Sequence, residues 1–346
     1  MESTSSVETR LRAPSLRRRA LLVAMSALLV SGATLLGMEL LARAFGDQPR
    51  RTVVRPEPAI HQPDPVLGWR PIPGHYWFGP YVPDGRPVEV TIRPDGARDS
   101  GSGPSRGRPE VVLVGCSFTF GWAVGDDETW GWRLQERRPD VEVVNHGVGG
   151  YGTYQALLLL EQLLGRDGDR PARVLYGFID HRLRNVAAPM WLRMLAATRD
   201  TIATPYCTLT PQGQLERHPP EGVPSLPLHE HLASVAMLED QLLVHRAGSR
   251  AVAARRVTEL LIEQMAALCR QHGVGFSLVL LSVPENVAAS YRAYAQKHDI
   301  DVIDCNQQPT AADIVPGEAH PNGALHGRWG DCVAAALATP NRLPVP

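Results

Sequence analysis

Lysine is nearly absent from this chain: Lys297 stands alone within a Lys plus Arg total of 35. Covalent chemistry built on a lysine amine therefore has almost nowhere to sit. An excess of either charge is also missing, since the formal net charge is −1. Nothing in that balance argues for nucleic acid or an acidic polymer as a partner. Cysteine is sparse, at Cys116, Cys207, Cys269, Cys305 and Cys332, and no two stand at C-x-x-C spacing. That pattern gives no ligand set for zinc and no redox motif, so neither a metal nor a cofactor is expected. The odd count leaves at least one thiol unpaired. A disulfide among the last four is compatible with an oxidising compartment, but spacing does not pair them. Internal repeats are absent as well.

One long uncharged run is present. Ala20–Met38 carries no ionisable residue and follows Arg17, Arg18 and Arg19. As a helix it rises roughly 28 Å, about the thickness of a hydrocarbon core. The preceding arginines favour a cytoplasmic N-terminus and an exported remainder. Ala42-Arg43-Ala44 leaves a second reading open, a removed signal peptide with a small-x-small cleavage site. Both place the rest of the chain outside the cytoplasm. The expected organisation is a cytoplasmic tail at 1–19, an anchor at 20–41, a Pro- and Gly-rich stalk and irregular cap at 42–109, and a catalytic domain at 110–340.

From residue 110 strands and helices alternate. The strand candidates are 110–115, 141–145, 173–179, 275–281 and 300–304; the helix candidates are 127–138, 153–165, 251–272, 285–298 and 323–338. Phe276–Leu281 is nearly all apolar, as a strand covered on both faces should be. Val257, Leu260, Leu261, Met265 and Leu268 form the stripe of a helix packed on a sheet. The expected fold class is α/β, a three-layer α/β/α arrangement around a central parallel sheet of about five strands. Residues 186–250 interrupt the alternation with Pro205, Pro211, Pro219, Pro220, Pro224 and Pro227, and read as an insertion over the site.

Ser117 follows the apolar run Val111–Val114, at the C-terminal end of a buried strand, where open α/β sheets build their sites. A free serine is a weak nucleophile and needs a base. His320, in the loop Gly317-Glu318-Ala319-His320-Pro321-Asn322, is the candidate, with an ordinary pKa of about 6.5 suited to moving protons near neutrality. His326 falls inside the final helix. Glu318 is the candidate for orienting the imidazole, with Asp313 and a bare Ser-His pair as alternatives. Gly147, Gly149, Gly150 and Gly152 make a glycine-rich turn with no Gly-Lys-Ser/Thr after it, which fits a phosphate loop poorly. The plainer readings are a helix-capping serine, a surface histidine and a permissive turn.

Three blocks together resemble the SGNH (GDSL-like) hydrolase family in its membrane-anchored bacterial form. Gly115-Cys116-Ser117-Phe118-Thr119 is similar to the nucleophile block, with Cys116 where an acid is usual. Asn145-His146-Gly147-Val148-Gly149-Gly150 is similar to the second block, and Glu318-Ala319-His320-Pro321-Asn322 to the last. Asp64–Pro71 and Pro94–Arg98 also resemble segments that precede the nucleophile strand in anchored members. The third block departs: Gly177-Phe178-Ile179-Asp180-His181-Arg182 lacks the Asn that would donate to an oxyanion. The resemblance implies a flavodoxin-like SGNH fold with an N-terminal transmembrane helix. It implies Ser117 as nucleophile, His320 as base and Glu318 as its acid. The N–H groups of Ser117 and Gly150 would form the oxyanion hole, with His181 in place of the missing Asn. It also implies a serine esterase or O-acyltransferase on the periplasmic side of the inner membrane, acting on an acyl ester of an envelope carbohydrate or a lipid. A catalytically silent SGNH-like partner in exopolysaccharide biosynthesis and a structural envelope component are the rival expectations.

Overall fold

The computed structural model describes residues 15–50, 59–82, 85–103, 107–198, 203–339 and 342. The rest of the expected tail, part of the stalk and residues 199–202 of the insertion lie outside the described residues. Contacts divide the chain into two units, one formed by 1–51 with 224–242 and the other by 52–223 with 243–346.

In the first unit, α1 (Leu16–Ala44) continues the apolar run for 29 residues, a rise of about 43 Å. It ends just before Gly46, whose φ of +92° takes the chain out of the helix. Among the described residues it is the single helix long and apolar enough to cross a membrane. Near its end Glu39 pairs with Arg43 at 2.6 Å. The same carboxylate accepts the N–H groups of Ala233 and Ser234 at 3.1 and 2.9 Å, which caps the later helix α7 (Ala233–Ala247). Arg50 pairs with the buried Glu239 at 2.8 Å. Residues 224–242 thus join α1 in this unit, and the expected single insertion over 186–250 is divided.

The second unit begins with two antiparallel hairpins, β1 (His61–Asp64) with β2 (Gly68–Pro71), and β3 (Gly74–Phe78) with β4 (Val88–Ile92). The stretch expected to be irregular is therefore ordered here, and the reason is side-chain pairing: Tyr76, Phe78, Val90 and Ile92 bury one face together.

The central sheet follows, with β5 (Glu110–Gly115), β6 (Glu142–Gly147), β7 (Arg173–Ile179), β10 (Gly275–Ser282) and β11 (Asp301–Asp304) in the order β11-β10-β7-β5-β6. All its pairings are parallel. A third hairpin, β8 (Thr204–Leu209) with β9 (Leu215–Glu221), lies within the expected insertion. The helices between are α2 (Ser117–Phe120), α3 (Trp130–Arg137), α4 (Thr153–Leu164), α5 (Arg182–Asn185), α6 (Pro189–Thr198), α8 (Ala254–Gln271), α9 (Glu285–Lys297) and α10 (Gly323–Leu337).

Strand alternation sorts β5 between two cores. Val112 and Val114 pack with Leu157 and Leu160 of α4, Leu261 and Met265 of α8, and Tyr291 of α9. Val111 and Leu113 pack on the opposite face with Trp130 and Leu134 of α3, and Trp329 and Val333 of α10. These side chains are nearly all fully buried, each contributing about 1.5–3 kcal/mol for an aliphatic or aromatic group of this size. The result is the expected three-layer α/β/α fold with five parallel strands and flavodoxin-like order. Because the chain passes from β5 to β6 on one side and then crosses to β7 on the other, the C-terminal end of β5 is the switch point where such sheets open a crevice.

Candidate active site

The turn that carries Ser117 rests on a floor of glycines. Gly115 of β5 is in register with Gly147 of β6 and Gly177 of β7. Thr119, two residues after Ser117, sits over all three. A Cβ on Gly115 or Gly177 would lie 2.2 Å from Thr119 Oγ1, and one on Gly147 would lie 2.5 Å from the Phe120 backbone nitrogen. Any side chain at these strand ends would push the turn off the sheet. Asn145 ties it down from the side: its Nδ2 donates to the Thr119 carbonyl at 2.8 Å, and its Oδ1 accepts the Gly147 N–H at 3.0 Å. The asparagine of the second block is thus a brace, fully buried.

The far end of the turn is held by Arg98. Its Nε pairs with Asp126 at 2.6 Å, and its other nitrogens donate to the carbonyls of Gly121 and Val124 at 3.1 and 2.9 Å. Arg98 belongs to the Pro94–Arg98 segment, whose physical role is thereby visible. The Asp64–Pro71 segment has a matching role at the second glycine block. Trp69 Nε1 donates to the Gly149 carbonyl at 3.0 Å, Tyr151 Oη donates to the Trp69 carbonyl at 2.5 Å, and Gln155 Nε2 donates to the Leu67 carbonyl at 2.8 Å.

His320 reaches this turn from a short loop before α10. Ile314 and Pro321 form an isolated antiparallel bridge, and the Val315 N–H donates to the His320 carbonyl at 2.9 Å. Asn322 then caps α10, its side chain accepting the Leu325 N–H. The imidazole Nε2 lies 3.1 Å from Ser117 Oγ, and its Nδ1 lies 3.3 Å from Glu318 Oε2. The tautomer protonated on Nδ1 satisfies both contacts, donating to Glu318 and accepting from Ser117. Phe118 and Trp122 flank the ring, with centroids at 5.9 and 6.2 Å.

Ser117 is 6 % exposed, while the His320 and Glu318 side chains are 25 % and 29 % exposed. Burial lowers the His320 pKa, the Glu318 carboxylate opposes that fall, and the Arg184 charge adds to it. The alternative acid Asp313 is engaged elsewhere. It pairs with Arg328 at 2.5 Å and accepts from Thr310, contacts that hold its carboxyl down at about 2. His326 is fully buried in α10. It accepts the Trp130 N–H on Nδ1 at 3.3 Å, and burial drives its pKa down to about 3.

Gly150, with φ at +87°, follows the loop fixed by Trp69. Among the described residues neither its N–H nor that of Ser117 donates to a backbone carbonyl. The third block lies at the end of β7. Ile179 is 7 % exposed and packs in the lower core with Leu281 and Leu325. Asp180 pairs with Arg182 at 3.6 Å. His181 precedes α5, and its Nε2 is buried without an acceptor among the described residues. Burial, then the charges of Arg184 and His320, place its pKa well below the ordinary value, so the ring is neutral at pH 7. Cys116 is a packed thiol, 4 % exposed, and burial raises its pKa. Cys305 and Cys332 form a disulfide; Cys207 and Cys269 are free and buried. Among the described residues no three His, Cys, Asp or Glu side chains converge as a metal site.

Sequence reasoning missed Thr119, Asn185 and Arg184. Asn185 accepts the Tyr154 N–H on Oδ1 and donates to Thr153 and Thr258, all within 3.1 Å. The strand-end glycines under Thr119 give their reason only in the register of the folded sheet. For the other two, no local pattern marks them.

At the switch point of a flavodoxin-like sheet the strand-end Ser117 thus stands in line with His320 and Glu318. Solved structures similar in fold include a member of the lipolytic protein G-D-S-L family from Veillonella parvula. It is 14% identical with a TM-score of 0.38, covering 68% of this chain and 99% of that one. A GDSL-like lipase from Bacteroides thetaiotaomicron is 13% identical with a TM-score of 0.38, covering 68% and 90%. A psychrotrophic esterase from Pseudoalteromonas is 11% identical with a TM-score of 0.37, covering 66% and 99%. No protein-family model matches the chain, and no curated protein matches it.

Proposed function

We propose that this chain is a membrane-anchored, extracytoplasmic serine ester hydrolase or O-acyltransferase of the SGNH type. The observation that carries the reading is the continuous line from Glu318 through His320 to Ser117, with contacts of 3.3 and 3.1 Å. Ser117 Oγ attacks the acyl carbonyl as His320 Nε2 takes its proton. The tetrahedral oxyanion is met by the free N–H groups of Ser117 and Gly150, and by the neutral His181 ring in place of the missing Asn. Collapse breaks the bond to the leaving alcohol, which receives the proton from His320, and leaves an acyl-Ser117. A water or a second hydroxyl then adds to that acyl carbon, giving up its proton to His320. Ser117 Oγ leaves and recovers the proton. Water makes the chain an esterase and a sugar hydroxyl makes it a transferase.

Two further features support the compartment. The apolar α1 is long enough to span a bilayer. The disulfide between Cys305 and Cys332 suits an oxidising space. The substrate proposed is an acyl ester of an envelope carbohydrate or a lipid.

The third block favours one rival, a chain that keeps the fold for binding alone, because a buried isoleucine, Ile179, stands at the end of β7. A fluorophosphonate reagent separates the two. The full chain in detergent should be labelled on Ser117, and Ser117→Ala should not. No label on the wild-type chain, with α1 and the fold intact, would leave the binding reading in place.

A further inference from the structure

Arg184 is a cation placed at the site without an anion to match it. The buried arginines of this unit have carboxylates: Arg98 pairs with Asp126 at 2.6 Å and Arg173 with Asp301 at 3.1 Å. Arg184 has none within ion-pair distance among the described residues, since the nearby Asp180 pairs with Arg182. Its Nη1 donates to the Tyr151 carbonyl at 3.0 Å. Its guanidinium lies over the Trp191 ring, with Cζ 4.4 Å from the centroid. Nε and Nη2 are left with no acceptor among the described residues.

Position matters as much as the missing partner. Tyr151 follows Gly150, so the hydrogen bond anchors the guanidinium one residue beyond the oxyanion glycine. Its charge is felt by Cys116, next to the nucleophile, and by both His181 and His320. Arg184 is half-buried, so its unpaired charge has lost part of its hydration without gaining a counter-ion. Here it also opposes the imidazolium that His320 must become. An anion seated on the free edge of the guanidinium removes both costs at once. Planar, bidentate donation to a carboxylate is the interaction this side chain suits best.

We propose that Arg184 is an anion subsite. The ester that Ser117 attacks carries a carboxylate, or a similar monoanion, a few bonds from its scissile carbonyl, and that group seats on Nε and Nη2 of Arg184. The proposal rests on the serine-ester reading of the site and narrows its substrate class. The anion belongs either to the acyl group or to the alcohol, and chemistry at the guanidinium is the same for both.

Binding and turnover test it separately. Binding uses the full chain in detergent carrying Ser117→Ala, titrated calorimetrically with monomethyl adipate and with dimethyl adipate. The monoanion should bind at least tenfold more tightly than the diester. Adding Arg184→Met should abolish that preference, and Arg184→Lys should restore part of it. Turnover compares 4-nitrophenyl monoadipate with 4-nitrophenyl hexanoate for an acyl-side anion, and 4-acetoxybenzoate with its methyl ester for an alcohol-side anion. A charge-assisted hydrogen bond is worth about 1.5–3 kcal/mol, so in one of the two pairs Arg184→Met should cut the anionic-to-neutral ratio of kcat/KM by about 10- to 150-fold. The pair that responds identifies the side. Binding preference without turnover of any ester would leave the subsite standing and overturn the esterase reading. Equal losses on anionic and neutral esters, or an unchanged preference in the binding assay, would overturn the subsite and assign Arg184 to holding Tyr151 and Trp191.

Discussion

Replacing Glu318 by Gln keeps the size of the side chain and removes its charge. Glu318 touches His320 Nδ1 at 3.3 Å and is 29 % exposed, a long contact in a partly wet place. Two unit charges about 4 Å apart interact by about 4 kcal/mol at an effective dielectric of about 20 and about 1 kcal/mol in water. Exposure moves the value toward the lower figure, so a loss of about 1–2 kcal/mol of transition-state stabilisation is expected. That is about fivefold to thirtyfold in kcat/KM. The pH profile makes the test sharper. His320 must be neutral to accept the serine proton, so activity falls on the acid side through its pKa. Burial lowers that pKa below 6.5 while Glu318 raises it. Removing the carboxylate therefore shifts the acid limb to still lower pH, by up to about one unit for each 1.4 kcal/mol lost. The assay is kcat/KM for a chromogenic ester between pH 4 and 8, on wild-type and variant chains. An acid limb that stays in place, or moves up, would refute the arrangement in which Glu318 supports the imidazolium.

Three further outcomes follow from packing. Gly177→Ala should destabilise the chain by about 1–3 kcal/mol in urea unfolding, because the new Cβ meets Thr119 Oγ1 at 2.2 Å. Thr119→Ala in the same chain should recover most of that loss, and an additive double variant would count against the contact. Arg98→Met should cost about 3–5 kcal/mol, since it leaves Asp126 without its cation and frees the Gly121 and Val124 carbonyls; a change under about 1 kcal/mol would contradict the clamp. Cys332→Ser opens a loop with a sequence separation of 27 that contains both Glu318 and His320. It should cost about 3.5 kcal/mol and match the fully reduced wild-type chain in unfolding midpoint, while equal midpoints for the oxidised and reduced wild type would refute it.

Much of the central sheet was legible because its signals are local. Val111–Val114 and Phe276–Leu281 are continuous apolar runs, and such runs have few solutions other than strands covered on both faces. The helix stripe at Val257, Leu261 and Met265 is equally local, as is the uncharged run at Ala20–Met38. The motif residues Ser117, Gly150 and His320 could be singled out by type and order along the chain. The hairpins β1 to β4 were not legible, because short strands rich in Pro and Gly carry little periodicity and form only when paired.

What tertiary structure alone decided are the relations between distant residues. Nothing in the sequence says that Ser117 and His320, separated by 203 positions, meet at 3.1 Å, or that Glu318 rather than Asp313 faces the imidazole. Pairing Cys305 with Cys332 needed β11 and α10 side by side. The reason Gly115, Gly147 and Gly177 are glycine appears only once three strands align and Thr119 lands on them. The lone charge of Arg184 is also a tertiary fact: arginine in a sequence is ordinary, and only its place against Tyr151 and Trp191 without a carboxylate makes it distinctive. Local chemistry set the elements and named the reactive groups; long-range packing set their distances, their exposure and hence their protonation.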